Sequence, residues 1–388
     1  MNRGIQASNE WLESQDKPPK EVEISAFANA LMELNTPQAI EDTLNKNITN
    51  YAFRPFLTMK AFLWQDLLHR FSRVGGGGTR RRPEIGKAYT DENTIGFALS
   101  HSPKDQKDSL KPFASFCWYH PDNDLCRRGN SFVYLNQYPT SRNSNALASN
   151  INSELCEHLS TLLKLSEAAL TSEMVFYVYA ILCSQVYLDE FEGALFTVNR
   201  ADMRPRIPIV DDAETFLRLS ALGRKIAELE KNYYTPRNIA GYDYDAIKAE
   251  LPDGFKLSWS KAVQPFNEDE ETITLTDGRI NITIYCPLEI QRLNIGGYEV
   301  IKNTWLKFNS YDFTHCDFTA DDIVGLLNLV NKLLEYIELV GEVDVAVHEI
   351  SLIITSRSMK RSSGKFLRLQ NNSPITKKCL ARKLRALK

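Results

Sequence analysis

The longest apolar run in the chain, Met174-Val175-Phe176-Tyr177-Val178-Tyr179-Ala180-Ile181-Leu182, has no polar face. A helix apolar all round is either buried on several sides or spans a membrane. This run falls short of the roughly 20 residues that a span needs, so it predicts a central core helix. An acidic turn is expected after it at residues 189–192. Pro205 and Pro208 each lack an amide N–H and push the preceding residue away from helix, which predicts extended backbone at Arg204 and Ile207.

Helical spacing recurs at Ile24, Phe27, Leu31 and Leu34, at Ile151, Leu155, Leu159 and Leu162, and at Leu219, Leu222, Ile226 and Leu229. Thr36-Pro37 reads as a helix start, and Asp211 or Asp212 as another. Thr319 begins the last long helix, with Asp321 and Asp322 in its first turn; its apolar positions from Ile323 to Ile337 cover more than one face. Strand-like pieces are expected at residues 53–56, 61–64, 94–100, 113–119 and 131–135. Asp277-Gly278 between residues 272–276 and 279–285 predicts a tight hairpin. A third strand is expected over 296–305, and residues 343–347 alternate like a strand. Residues 143–152 read as a Ser/Asn-rich linker and 235–270 as loop.

These elements predict an α+β fold, in which a β-rich domain and a β-hairpin domain are joined by a central helical layer. The expected divisions are a helical and flexible segment at 1–47, a β-rich recognition domain at 48–142 and the helical layer at 143–234. A β-hairpin with a long helix at 235–345 and a basic tail at 346–388 complete the chain. Its 388 residues, 43% hydrophobic and 24% charged, have room for two or three domains with a large core.

Charge changes this picture more than composition does. The chain carries a net charge of −3. Residues 1–142 contribute +2, residues 143–356 contribute −16, and residues 357–388 contribute +11 with no acidic side chain. The acidic middle is a poor surface for a polyphosphate, whereas the basic end is suited to one. Seven scattered cysteines without a C-x-x-C pair point to free thiols and not to a disulfide framework or zinc site. The six histidines show no H-x-x-x-H spacing. Residues 1–20 have no apolar h-region and the chain no transmembrane run, so the expected location is the cytoplasm, with no membrane partner.

Several segments together resemble a known family. Phe176-Tyr177-Val178-Tyr179-Ala180-Ile181-Leu182 with Ser184 and Tyr187 is followed by Pro205-Arg206-Ile207-Pro208 and then by Leu219-Ser220-Ala221-Leu222-Gly223-Arg224 with Ala227-Glu228-Leu229. Phe53-Arg54-Pro55-Phe56 lies upstream, and Gly296-Gly297-Tyr298 with Trp305-Leu306-Lys307 downstream. Over residues 48–344 this pattern resembles the C-terminal target-recognition region of Type ISP restriction-modification enzymes. The resemblance implies sequence-specific recognition of double-stranded DNA in phage defence. The family's full-length enzymes also carry a nuclease, a translocating ATPase and an adenine methyltransferase. None of those motifs is here: Ser363-Gly364-Lys365-Phe366 lacks the rest of a phosphate loop, and Pro18-Pro19 lacks the context that holds a flipped adenine. No catalytic residue, cofactor or metal is expected, and a methyltransferase, translocase or nuclease chain is the expected partner.

The candidate DNA-binding residues are Arg70, Arg73, Arg80, Arg81, Arg82, Lys87, Arg127, Arg128 and Asn130. The glycines at 75–78 let backbone approach a phosphate, and the consecutive arginines 80–82 suit bidentate contacts with phosphate or guanine. Arg127-Arg128-Gly129-Asn130 combines the side chains that read guanine and adenine. Charge runs are commonly just solvated, so each stretch also reads as an exposed loop. Arg204 and Arg206 read better as ion-pair partners of Asp189, Glu190 or Glu192. Two other functions fit parts of the chain: a protein-interaction or scaffold subunit, from the acidic middle and the broadly apolar last helix, and a Mg-dependent nuclease built on Glu84, Asp105 and Lys107.

Overall fold

The computed structural model describes residues 33–34, 36–63, 83–99, 113–126, 132–140, 146–195, 207–231, 251, 254–260, 265–276, 278–302 and 315–360. The chain divides into two compact units. One comprises residues 1–51, 59–93 and 138–148, the other residues 52–58, 94–137 and 149–388. Helices and small antiparallel sheets alternate throughout, an α+β fold as expected.

In the first unit, α1 (Pro37–Asn47) begins as its sequence predicts. Extended Thr36 accepts a hydrogen bond from Ala39 N–H through its side chain, and Pro37 occupies the first turn. The chain continues directly into β1 (Ile48–Arg54), and Leu63 N–H donates to Asn47 O at 2.8 Å. Helix α2 (Pro83–Ala88) buries Ile85 and Ala88. The helix expected over residues 21–34 lies outside the described residues except for its last two positions, which are a turn.

The strands expected at 53–56 and 61–64 are displaced. They are β1 and β2 (Leu57–Phe62), with Pro55-Phe56 as the turn between them. Phe56 has φ +62, a left-handed conformation disfavoured for a bulky side chain, yet it is only 2% exposed. Its ring meets Tyr336 edge-on at 5.8 Å, and that packing offsets the backbone cost.

The second unit is built on the central helix. Strands β3 (Gly96–Leu99), β4 (Ala114–Cys117), the short β5 (His120–Pro121) and β6 (Phe132–Leu135) precede it. β3 lies between β4 and β6 in an antiparallel sheet. Two short strands, β7 (Gln137–Pro139) and β8 (Leu147–Ser149), pair across residues that read as linker and belong mostly to the first unit. Helix α3 (Ser153–Leu163) is capped by Asn152 and buries Cys156, Leu159 and Leu163. Leu155 and Leu162, expected on the buried face, are 44% and 39% exposed. Both stripes have helical spacing, and the one through Cys156 turns inward.

Helix α4 (Glu167–Cys183) is the predicted core helix. Ser166 caps it, and residues from Leu170 to Cys183 are buried on several sides. The residues expected to form an acidic turn instead belong to α5 (Gln185–Leu195). Ser184 breaks α4 with extended backbone and restarts the helix, accepting Tyr187 N–H at 3.1 Å. Helix α6 (Ala213–Lys231) starts at Asp212, which accepts Thr215 N–H, and all four leucine and isoleucine positions of its predicted stripe are buried. α6 packs tightly on α4: a Cβ at Gly223 would stand 2.0 Å from Phe176 O.

The region expected to be loop contains β9 (Lys256–Ser260) and β10 (Phe266–Asn267). β9 pairs antiparallel with β15 (His315–Thr319), a partner too far along the chain for local pattern to reveal. β10 joins β11 (Thr272–Thr276) and β12 (Asn281–Tyr285) in one sheet. The expected hairpin is there, but Thr276 pairs with Asn281, so its connection has four residues and not the two of a tight Asp-Gly turn. A short helix, α7 (Leu288–Gln291), follows. Of the expected strand over 296–305, Tyr298–Glu299 is strand β14, paired with β13 (Asn294–Ile295) in a small hairpin, and 303–305 lie outside the described residues. Gly296 and Gly297, at φ +59 and +89, make its two-residue turn.

Helix α8 (Ala320–Lys360) ends the described chain. Thr319 Oγ1 accepts Asp322 N–H, and Asp322 accepts Thr319 N–H in return, a reciprocal cap. Residues 343–347, expected as a strand, are helical: Val343, Ala346 and Val347 are buried while Val345 is 59% exposed, a spacing of three and four. The helix therefore includes residues 346–360, expected in the basic tail; the remainder of that tail lies outside the described residues. No single helix among the described residues is long and apolar enough to cross a membrane.

Candidate nucleic-acid interface

Two segments more than 240 residues apart meet around one short loop. Arg54, at the end of β1, donates to Asp122 Oδ1 at 3.0 Å and to Phe53 O at 2.6 Å. Its guanidinium lies 4.0 Å above the Phe53 ring and 5.1 Å from that of Tyr298. Tyr298, beside the Gly296-Gly297 turn, donates its hydroxyl to Asp124 O at 3.0 Å. Burial raises the Tyr298 pKa above its ordinary value, so the phenol stays a donor.

The loop between them is held along its length. Asp122 N–H donates to Ala52 O, Asp122 Oδ1 accepts Asp124 N–H at 2.7 Å, and Leu125 N–H closes a turn onto Asp122 O. Leu125 and Cys126 are 1% and 0% exposed, and Cys126 Sγ lies 3.5 Å from Ala98 O. Gly296 packs directly on that cysteine, where an added Cβ would be 2.9 Å from Sγ. Position 127, the first arginine of the predicted base-reading stretch, follows this anchored residue.

Lys87 is the only predicted DNA-binding residue among those described. It sits half-buried in the last turn of α2, and its carbonyl accepts the Thr90 hydroxyl at 2.7 Å. Arg70, Arg73, Arg80, Arg81, Arg82, Arg127, Arg128 and Asn130 lie outside the described residues, as do Asp105, Lys107, Arg204 and Arg206. Lys87 belongs to the first unit and the anchored loop to the second. Arg54 and Tyr298 were legible as matches to the family pattern, but their meeting at Asp122 and Asp124 was not.

A second polar cluster lies in the helical core. Glu230 of α6 is buried and accepts hydrogen bonds from Ser115 Oγ at 2.6 Å, Phe116 N–H at 3.1 Å and the Tyr179 hydroxyl. Burial outweighs these donors and pushes its carboxyl up to about 7. Burial also pushes the nearby Cys183 thiol up to about 12, which keeps it a thiol and no nucleophile. A cavity of about 290 Å³ lies between β3, β6 and α4, lined mainly by apolar side chains such as Phe97, Tyr134, Met174 and Val178. Neither Glu230 nor Cys183 lines it; the cluster joins β4 to the helices. Among the described residues, no group of three His, Cys, Asp or Glu side chains is placed to hold a metal ion.

The family-resembling segments mostly have packing roles. Tyr177 stacks on Phe216 at 4.8 Å and donates to Pro208 O at 2.7 Å, fixing the end of the Pro205-to-Pro208 segment on the central helix. Arg224 bonds Glu173 at 2.6 Å and lies 3.9 Å over Phe176. These segments thus form a helical scaffold to which small sheets and loops attach. The family model described as the Type ISP C-terminal specificity domain matches residues 1–317, and the chain belongs to that family.

Three solved structures match the chain at low identity. One is the ATP-dependent Type ISP restriction-modification enzyme LlaBIII bound to DNA, 16% identical, with a TM-score of 0.50 over 85% of this chain and 22% of that one. A nuclease-deletion mutant of the Type ISP enzyme LlaGI in complex with a DNA substrate mimic is 15% identical, with a TM-score of 0.47 over 76% of this chain and 24% of that one. The DrdV–DNA complex is 16% identical, with a TM-score of 0.49 over 81% of this chain and 31% of that one. This chain therefore spans less than a third of the length of each. Comparison with curated proteins returns no match.

Proposed function

We propose that this chain recognises a specific sequence in double-stranded DNA, as the specificity part of a phage-defence restriction-modification system. Methyltransferase, translocase and nuclease chemistry is supplied by another chain. The carrying observation is the loop at residues 122–126, tethered by Arg54, Tyr298 and Gly296 directly before Arg127-Arg128-Gly129-Asn130. A base-reading segment needs a rigid point of departure, because specificity depends on side chains meeting base edges in a fixed register. The LlaBIII structure, whose fold is similar, is bound to DNA.

In this reading Arg127 and Arg128 contact guanine edges, Asn130 an adenine edge, and Arg70, Arg73, Arg80, Arg81, Arg82 and Lys87 the phosphates. The test is selection from a random duplex library by the purified chain at about 150 mM salt, a condition that suppresses weak phosphate binding. Enrichment of one short motif, lost in Arg127→Ala/Arg128→Ala, is the expected result. No binding by the wild type would overturn the proposal and favour a protein-interaction role for the acidic middle.

A further inference from the structure

Helix α3 buries one stripe of side chains and leaves another facing water. Leu155 and Leu162, two turns apart, are exposed, and the exposed His158 stands between them. Ile151, just ahead of the Asn152 cap, lines the cavity between β3, β6 and α4 together with Thr171, Val175 and Val178. An apolar strip therefore leads from that cavity onto the outer side of α3. Single exposed leucines are ordinary on a protein surface, whereas an apolar strip that continues an apolar cavity marks a place where something docks. The charged side chains within α3 are Glu154 and Glu157, both exposed, with no lysine or arginine before Lys164 at its end.

The occupant that fits this strip has apolar anchors bordered by cations, and the chain carries such a segment. Residues 361–388, outside those described, hold nine Lys/Arg and no Asp or Glu, against a net charge of −16 over residues 143–356. In their sequence Ser373-Pro374 repeats the Thr36-Pro37 pattern that starts α1. Leu380, Leu384 and Leu387 then recur at spacings of four and three, among Ala, Lys and Arg, residues that favour helix. This is the anchor pattern of an amphipathic helix laid against an apolar surface. The residues from Arg361 to Cys379 reach about 65 Å when extended, about twice the diameter of a small domain, so the tether permits the contact.

We propose that the carboxyl-terminal segment 373–388 docks on α3 of its own chain, with its leucines against Leu155 and Leu162 and its cations beside Glu154 and Glu157. The inference goes beyond the DNA reading and stands without it. The leucines supply most of the affinity and the exposed charges set the orientation, because apolar burial is worth more than ion pairs in water. Docking covers the apolar strip and brings positive charge to the acidic part of the chain.

The experiment places one thiol on the strip and reads its proximity to Cys379, the native cysteine beside Leu380. The full chain carrying His158→Cys is treated with a short bismaleimide, and the linked peptides are identified by mass spectrometry. His348→Cys, an exposed position on α8 and closer to Cys379 along the chain, serves as the reference. An undocked segment reaches either thiol only at the effective concentration its tether allows, so docking is expected to speed the link in His158→Cys by about tenfold or more over the reference. Adding Leu155→Asp/Leu162→Asp, or Leu380→Asp/Leu384→Asp, is expected to return the rate to that of the reference. A rate no higher than the reference overturns the proposal, as does a fast link that survives both aspartate pairs. Links between two chains in place of links within one also overturn it, and assign the strip to a second copy. Should the aspartates on α3 disturb that helix, the pair at Leu380 and Leu384, beyond the end of α8, decides alone.

Discussion

Glu230 shows how a single side chain couples the sheet to the helices. The folded protein holds its proton up to about pH 7, whereas an ordinary glutamate releases it near 4.5. Its contribution to folded stability is therefore greatest below about pH 4.5, declines between pH 4.5 and 7 as the unfolded chain alone loses the proton, and levels off above. Glu230→Gln, neutral at every pH, is expected to flatten that decline. Urea midpoints across pH 5 to 8 measure it, and an unchanged slope in the variant would refute this assignment. Phe56 makes a different point. Phe56→Ala keeps the left-handed backbone but loses the contact with Tyr336. A loss of about 3–5 kcal/mol is expected, read from chemical denaturation; a loss under about 1 kcal/mol would mean that the ring holds nothing in place.

Among the elements, the break between α4 and α5 depends on a residue of α8. Asp344 Oδ1 accepts both the Ser184 hydroxyl at 2.6 Å and Val186 N–H at 3.1 Å, so it caps α5 from another helix. Asp344→Ala leaves that N–H and hydroxyl without their acceptor and is expected to cost about 1–3 kcal/mol. Thermal melts of Asp344→Ala and Asp344→Asn distinguish a cap from a mere charge: the asparagine variant, which retains an acceptor oxygen, should recover part of the loss. The family match ends at residue 317, and α8 starts at Ala320, yet Leu326, Leu329 and Leu333 of this helix are fully buried. Its amino-terminal half is core of this protein.

At the scale of the whole molecule, binding is a contest between local arginine-rich stretches and an acidic middle. Each phosphate contact neutralised by arginine or lysine adds roughly 0.9 to the slope of log affinity against log salt. Arg80→Ala/Arg81→Ala/Arg82→Ala is expected to lower that slope by up to about 3 while leaving the preferred motif unchanged. Arg127→Ala/Arg128→Ala is expected to relax the motif. A titration series on the selected duplex separates the two, and a triple variant with the wild-type slope would remove residues 80–82 from the interface.

Local chemistry decided the central helix, the α6 stripe, the Thr36 and Thr319 starts, the residues of the β11–β12 strands and the family. Each is written within a few turns of chain, as spacing, a cap or a motif, and so was legible in the sequence. Tertiary structure decided which of two competing stripes α3 buries, because both have helical period and only the neighbours distinguish them. It also decided the pairing of β9 with β15 and the helical state of residues 343–347, since a strand's partner and a short alternating run depend on distant contacts. The meeting of Arg54, Asp122 and Tyr298 is of the same kind. Each residue alone is an ordinary polar or aromatic side chain, and only the folded chain brings the three to the loop that leads into Arg127.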